Sequence, residues 1–255
     1  MKKILNRSTV IFMSNLIFIV TLIFVYYSIY SYKYDVNEVQ KLINEDVDSD
    51  KRGDLLVEVI AINSKDNIMV AYIKKGEHTY GFAKFEKGLN NRYKIIDLSW
   101  SGNNKPIKIS GILSKDSKIK YYIIGGHNCV GFDRYGIKIH KKYSNEYEVI
   151  QFNVKEKNFV SILSYDEIVD KLSDNIELGE FYYAREELVI LDKENKDITS
   201  KFTLIGVSMD WVNSINYNYS YEEFYITVCV IALLGLISCL LLKKIRIIRE
   251  LNKQR

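Results

Sequence analysis

The chain has 255 residues, of which 47% are hydrophobic and 27% are charged. This composition excludes a disordered chain, and the single Pro and 13 Gly exclude a collagen-like or proline-rich protein. Three Cys exclude a small domain held together by disulfides. The length allows one medium-sized domain with accessory segments, or two small domains.

The net charge of +4 is distributed unevenly along the chain. Residues 1–8 and 243–255 together carry nine Lys or Arg and one acidic residue, which gives these two tails a charge of +8. The remaining residues carry 27 basic and 31 acidic side chains, a net charge of −4. Because nucleic-acid binding requires a basic patch on the folded domain, the acidic middle of the chain argues against nucleic acid as a partner.

The first apolar segment predicts a transmembrane helix at residues 9–32, after a cytoplasmic tail at 1–8. No charged residue occurs from Ser8 to Tyr32, a run of 25 residues. At about 1.5 Å per residue, a helix of this length crosses a hydrocarbon core of roughly 30 Å. A cleaved signal peptide is the alternative, but bulky Tyr and Ile residues stand where a small-residue cleavage site would be. We expect an uncleaved anchor.

A second transmembrane helix is predicted at residues 223–242, followed by a basic cytoplasmic tail at 243–255. Residues 224–242 are uncharged, and six Lys or Arg follow them. Lys and Arg are enriched in the cytoplasmic flanks of membrane spans, and here they flank both segments on the side of the chain termini. The sequence therefore predicts a multi-pass cell-membrane protein with both termini cytoplasmic and residues 33–223 extracytoplasmic.

Between the two spans we expect a β-rich α+β domain at residues 53–222, preceded by a juxtamembrane helix or stalk at 33–52. A capping box at Asp35–Glu38 predicts a helix over 35–47, and a second box at Ser164–Glu167 predicts another short helix. Elsewhere short apolar runs alternate with turn-forming clusters every 8–12 residues or so, which is typical of antiparallel meander sheets. The predicted strands are 55–62, 68–74, 80–85, 93–98, 107–113, 119–124, 130–132, 136–140, 147–153, 159–163, 181–184, 188–192 and 202–207.

The strand region contains a faint internal repeat. Residues 71–82 align with 121–132 and share the pattern Tyr-Ile-x-x-Gly-x-x-x-x-Gly-Phe. After an insertion, residues 87–96 align with 141–150. Each copy is predicted to form a strand, a Gly turn, a strand, a longer turn and a strand. The repeat favours a duplicated β unit, and chance similarity between meanders is the alternative.

Motifs for catalysis are absent from the sequence: there is no phosphate loop, dinucleotide fingerprint, nucleophile elbow, HExxH or CxxC. The three histidines, His78, His127 and His140, lack the spacing of a zinc site, so we expect neither a metal nor a cofactor. Histidines in solvent-facing turns are the interpretation that we favour. The acidic pairs Glu186-Glu187 and Asp166-Glu167 are interpreted as solvated faces, and cation binding by the run Glu177–Glu187 is left open.

The strongest enzymatic hint is the sequence His-Asn-Cys-Val at residues 127–130. A thiol nucleophile requires a nearby base or cation, and His127 is two residues from Cys129. This stretch resembles the catalytic segment of the L,D-transpeptidases, β-rich enzymes that act on cell-wall peptides outside the membrane. The resemblance implies Cys129 as nucleophile and His78 as the upstream base. It covers about five residues, and the family has Gly at the position of Asn128 and Arg at that of Gly131. A structural cysteine is the interpretation that we favour.

The two tails are too short for a kinase, cyclase or DNA-binding domain. We therefore expect a membrane-anchored binding, scaffold or sensory domain that acts as an accessory subunit of a bacterial envelope system, without enzymatic activity. Its partners would be the lipid bilayer and a membrane protein that contacts the spans. Asn15 offers an interhelical hydrogen bond within the first span, and self-association is left open. The alternatives are an L,D-transpeptidase-like thiol enzyme that uses Cys129 and a polysaccharide co-polymerase-like regulator.

Overall fold

The computed structural model describes residues 2–49, 56–77, 79–102, 106–113, 119–140, 147–154, 156–172, 188–202, 209–216 and 221–252. Within these ranges the helices are α1 (Lys2–Ile29), α2 (Val36–Ser49), α3 (Tyr165–Val169) and α4 (Tyr221–Asn252), with a 3-10 helix at Thr199–Phe202. The strands are β1 (Val57–Lys65), β2 (Ile68–Lys75), β3 (Thr79–Lys87), β4 (Tyr93–Gly102), β5 (Ile107–Leu113), β6 (Ile119–Gly126), β7 (Arg134–His140), β8 (Tyr147–Asn153), β9 (Phe159–Ser164), β10 (Leu188–Leu191) and β11 (Met209–Asn216).

The chain divides into two compact units, and one of them is formed by Met1–Ser31, Gly88–Lys94 and Asn218–Arg255. In this helical unit α1 and α4 pack against each other. Their covered side chains recur every three or four residues, so each helix presents one stripe to the other. The stripe of α1 contains Asn15, Ile19, Leu22, Tyr26 and Ile29, and that of α4 contains Tyr225, Val228, Ala232, Gly235 and Cys239.

Both helices contain a stretch that is long and apolar enough to cross a membrane, Ile11–Ile29 in α1 and Tyr225–Lys244 in α4. This confirms the two predicted apolar helices. Their bounds differ from the prediction, because α1 already begins at Lys2 and α4 continues to Asn252. The predicted basic tail is therefore helical as far as Asn252.

The second unit comprises Tyr32–Lys87 and Ile95–Tyr217 and is β-rich. Its described residues form three antiparallel sheets. The first sheet has the strand order β1-β2-β3-β4-β11, the middle sheet β5-β6-β9 and the third sheet β10-β7-β8. The first four strands of the first sheet form the predicted meander. Each of the other two sheets combines a pair of consecutive strands, β5–β6 or β7–β8, with a third strand that is distant in sequence.

The middle sheet lies between the other two, so both of its faces are buried. Successive strand residues point to opposite faces, and Tyr121 through Ile124 of β6 are all buried. Tyr121 and Ile123 pack in a cluster with side chains of β2, β3 and β9. Tyr122 and Ile124 pack in a second cluster with side chains of β5, β7, β8 and β10. This double burial explains why β6 reads as a continuous apolar run.

The free edge of β1 is covered by amide side chains of α2. The Asn44 side chain donates to the Val57 carbonyl (3.0 Å) and accepts from the Val57 amide (2.7 Å). The Gln40 side chain accepts from the Val59 amide at 3.1 Å. The predicted juxtamembrane helix thus takes the place of a neighbouring strand and blocks further pairing at this edge.

Several predicted elements agree with the structure and several do not. The bounds of β5 and β8 match the prediction, and the capping box at Ser164–Glu167 begins α3 as expected. The predicted strand at 130–132 is wrong, because Asn128 (φ 49°) and Gly131 (φ 91°) turn the backbone there. Strand β11 was not predicted. The predicted strand 181–184 and most of 202–207 lie outside the described residues.

Candidate functional site

The segment around His127 and Cys129 forms a tight connection after β6. The His127 amide donates to the Pro106 carbonyl (2.9 Å), and the Cys129 amide donates to the Lys157 carbonyl (2.9 Å). Between them Asn128 adopts a positive φ, and its amide donates to the Asn158 side chain at 2.9 Å. These bonds fix the direction in which the imidazole and the thiol point.

Gly126, the last residue of β6, is required by close packing. A Cβ atom at this position would lie 2.2 Å from the ring of Phe159 and 2.8 Å from Cys129 Sγ. Gly125 is equally confined, because its Cβ would lie 2.5 Å from the ring of Tyr72. The Gly-Gly pair is therefore needed so that β6 can pack closely on both of its faces.

His127 is held by two tyrosines of the first sheet. Its Nδ1 is hydrogen-bonded to the Tyr72 hydroxyl (3.0 Å), and its ring stacks on Tyr80 with the ring centroids 3.6 Å apart. Burial, together with the positive charges of Lys108 and Lys74, lowers the pKa of His127 to about 4. Burial, followed by the influence of Tyr80 and Cys129, raises the pKa of Tyr72 well above its usual value. Both side chains are therefore neutral at pH 7.

Cys129 is buried in the cluster between the middle and third sheets. Its Sγ lies 3.8 Å from the carbonyl oxygens of Pro106 and His127, which accept a weak hydrogen bond from the thiol. Burial raises the pKa of this thiol to about 12. Since carbonyl oxygens favour the protonated form, this environment opposes the thiolate that a nucleophile requires. The imidazole of His127 is hydrogen-bonded to Tyr72 rather than to the thiol.

Two lysines add polar contacts between the first and middle sheets. Lys108 of β5 donates to the carbonyls of Tyr80 (2.9 Å) and Ser101 (2.6 Å) and to the Ser101 hydroxyl (2.9 Å). Lys84 of β3 donates to the Gly111 carbonyl (2.9 Å) and forms a buried ion pair with Asp97 (2.7 Å). No sequence motif indicates these contacts or the His127–Tyr72 pair, so the sequence did not predict them.

The other predicted site residues do not join this cluster within the described part of the chain. His78 lies outside the described residues, and His140 is described only through its backbone, which pairs with that of Tyr147. Glu167 caps α3 and bonds to Lys65, and these bonds lower its pKa. The run Glu177–Glu187 lies outside the described residues.

No group of three or more His, Cys, Asp or Glu side chains that could hold a metal ion occurs among the described residues. A scan against protein-family models found no match, and searches of curated proteins and of solved structures found none either. Function is therefore inferred from the geometry of the described residues.

Proposed function

We propose that the chain is a two-pass membrane protein whose β-rich region is an extracytoplasmic binding, scaffold or sensory domain, acting as an accessory subunit of a bacterial envelope system. The observation that carries this proposal is the surface of α1 and α4. The stretches Ile11–Ile29 and Tyr225–Lys244 are apolar, and very few of their side chains are buried. The core helix of a soluble protein buries such side chains, whereas a hydrocarbon environment stabilises them where they are.

The distribution of charge supports a topology with both termini in the cytoplasm. Lys2, Lys3 and Arg7 precede the apolar stretch of α1, and exposed Lys243 and Lys244 are the last two residues of that of α4. The positive-inside tendency then assigns residues 33–223 to the outer side. Asn15 lies on the stripe of α1 that faces α4, so its polar side chain is turned towards the other helix rather than towards lipid.

The surroundings of Cys129 favour a binding or scaffold role over a thiol enzyme. The thiol is buried, its pKa is raised, and its polar contacts are carbonyl oxygens. The polysaccharide co-polymerase-like alternative implies a mainly helical outer domain, whereas three sheets dominate the described β-rich unit.

The β-rich region is, in this proposal, a duplicated unit. The pairing of β1 with β2 and of β5 with β6 supports duplication, because two neighbouring residue pairs of each hairpin, beginning at Ala61 and at Gly111, correspond at the repeat offset. Ala61 is opposite Tyr72, and Gly111 is opposite Tyr122, each 50 residues later. The copies differ after this hairpin, because β2 pairs with β3 whereas β6 pairs with β9.

Labelling of single cysteines tests the topology. In a variant without the three native cysteines, Cys is introduced at Lys41 or at Lys244, and intact cells are treated with a membrane-impermeant maleimide. We expect labelling at position 41 in intact cells and labelling at position 244 only after permeabilisation. The reverse pattern, or equal labelling of both positions in intact cells, would contradict the proposal.

Crosslinking tests the accessory-subunit role separately. A photoreactive amino acid is placed at Ile17 or Phe24, which are exposed on α1, and at Leu22, which faces α4. We expect one discrete protein adduct from an exposed position and only intramolecular products from position 22. If the exposed positions yield only lipid adducts while the topology result stands, the accessory-subunit role is wrong.

A further inference from the structure

The turn Gly88–Lys94 connects β3 to β4 and belongs to the same compact unit as α1. Hydrogen bonds between residues of the turn itself stabilise its conformation. The Gly88 amide donates to the Arg92 carbonyl (2.8 Å), and the Asn91 amide donates back to the Gly88 carbonyl (3.1 Å). The Asn90 side chain accepts from the Arg92 amide at 3.1 Å. The tip of the turn is therefore well defined.

This turn caps the C-terminal end of α1. The Asn90 side chain donates to the Tyr30 carbonyl (3.1 Å), and the Arg92 guanidinium donates to the Ser31 carbonyl (3.4 Å). Carbonyl groups at the end of a helix lack intrahelical donors, and cations are favourable there. The Leu89 amide donates to the Tyr26 hydroxyl at 2.6 Å, one turn further back along the helix.

The contact between the turn and the helix is also close in steric terms. A Cβ atom at Gly88 would lie 2.4 Å from the ring of Tyr30 and 2.6 Å from the Tyr26 hydroxyl. The ammonium of Lys94 lies 5.2 Å from the centroid of the Tyr30 ring. The position of the turn along α1 is thus set by packing as well as by hydrogen bonds.

Leu89 projects from this turn with 76% of its surface exposed. Its main chain is bonded to Tyr26, which lies inside the apolar stretch Ile11–Ile29. Tyr26 is three residues from the end of that stretch, or about 4.5 Å along the helix axis. Leu89 therefore lies near the end of the apolar stretch, where Tyr27 is also exposed.

We infer that Leu89 inserts into the surface of a lipid bilayer and that the turn Gly88–Lys94 is a second membrane contact of the protein. The inference rests on the proposed insertion of α1. Large apolar side chains at the level of the headgroup–acyl boundary bind membranes in this way, and basic residues beside them favour the headgroup region. Lys87 and Arg92 flank the apolar tip on both sides.

Site-directed spin labelling of the full-length protein in vesicles of phosphatidylcholine and phosphatidylglycerol tests the inference. In a background with Cys129, Cys229 and Cys239 changed to Ala, single cysteines replace Leu89, Phe24 or Glu45. Phe24 is an exposed side chain within the apolar stretch and serves as the lipid reference. Glu45 is a charged surface residue of α2 and serves as the water reference. The accessibility of each label to oxygen and to a water-soluble nickel complex is measured.

We expect the oxygen-to-nickel accessibility ratio at position 89 to be close to that at position 24 and several-fold above that at position 45. Adding Tyr26→Phe, which removes the hydroxyl that accepts from Leu89, should lower the ratio at position 89 and leave that at position 24 unchanged. A ratio at position 89 equal to that at position 45, with position 24 in lipid, overturns this inference alone. A label at position 89 shielded from both reagents also overturns it, because a protein then covers Leu89. An aqueous label at position 24 overturns the membrane proposal as well.

Discussion

The two faces of the middle sheet bury side chains in different ways. On the face towards the first sheet, apolar residues are accompanied by polar partners: His127 with Tyr72, Lys108 with Ser101, and Lys84 with Asp97. On the face towards the third sheet, the buried cluster contains apolar residues, tyrosines and the Cys129 thiol, and the polar partner recorded for Tyr135 is the Ser161 side chain.

The difference indicates how each face specifies its packing. A buried hydrogen bond or ion pair forms in only one arrangement of its two partners, and a buried polar group without its partner destabilises the fold. The polar face therefore restricts how the first and middle sheets fit together. An apolar face is less directional and tolerates changes that conserve volume. We therefore expect single substitutions on the polar face to lower the free energy of unfolding because a buried group loses its partner. Substitutions on the apolar face should lower it because side-chain volume is lost.

The largest expected effect is the removal of one member of the buried ion pair. Asp97→Ala leaves the Lys84 ammonium without its counter-charge, and the free energy of unfolding should fall by roughly 3–5 kcal/mol. The measurement is chemical denaturation of the full chain in mild detergent, followed by tryptophan fluorescence. Lys41→Ala, which breaks an exposed ion pair with Glu45, is the matched control and should change stability by about 0.5 kcal/mol or less. Equal effects of the two variants would show that the buried pair is not structurally required.

On the apolar face, the volume of the buried side chains is expected to determine stability. Ile124 is fully buried, and Ile124→Ala should lower the free energy of unfolding by about 2–5 kcal/mol because a cavity remains. Ile124→Val removes a single methylene group and should cost about 0.5–1.5 kcal/mol in the same denaturation experiment. If both variants lost a similar amount of stability, side-chain volume would not be the determinant on this face.

The polar face should also respond to pH through His127. Its pKa is lowered to about 4 in the folded chain, whereas an unfolded histidine titrates near ~6.5. The unfolded chain therefore binds more protons between these values, so the contribution is complete above pH ~6.5 and is lost as pH falls towards 4. Because the side chain is partly accessible, we expect about 1–3 kcal/mol across this window.

Comparison of the wild type with His127→Gln isolates that contribution. The wild type should lose stability between pH 6.5 and pH 5, roughly above the range in which carboxylates titrate, and the variant should lose much less. A parallel loss in both proteins would assign the pH dependence to other groups.

The smallest expected change in stability concerns the thiol of the apolar face. Cys129→Ala should cost about 1 kcal/mol, because a small buried side chain is replaced by a smaller one. In a variant that retains only this cysteine, a maleimide probe at pH 7 should react slowly while the protein is folded and rapidly in denaturant, since burial raises the thiol pKa to about 12. Rapid labelling of the folded protein would favour the thiol-enzyme alternative.

The sequence predicts elements well where a single local pattern decides them. The capping box at Ser164–Glu167 and the alternating strands β5 and β8 are such cases, as are the two apolar helices. It fails at residues 130–132, where an apolar pair suggests a strand but backbone turns at Asn128 and Gly131 prevent one. It also misses β11, whose mixture of polar and apolar residues has no clear period and which depends on pairing with β4.

The candidate site was predicted only in part for the same reason. The sequence draws attention to His127 and Cys129 because they are neighbours in the chain. The side chain that actually pairs with His127 is Tyr72, 55 residues away. Likewise, Lys84 and Asp97 are paired across adjacent strands by tertiary structure. Long-range pairs of this kind depend on how strands and sheets pack together, and the local spacing of residues in the sequence does not predict them.

The position of β11 has a consequence for synthesis of the chain. It forms the outer strand of the first sheet by pairing with β4, with Ser214 opposite Ser99. More than 100 residues are therefore translated between the two strands. At about 5–20 residues per second, β4 presents an open edge to the surroundings for several seconds in every nascent chain. A prematurely terminated chain would keep that edge, which makes strand addition by other chains the characteristic hazard of incomplete synthesis.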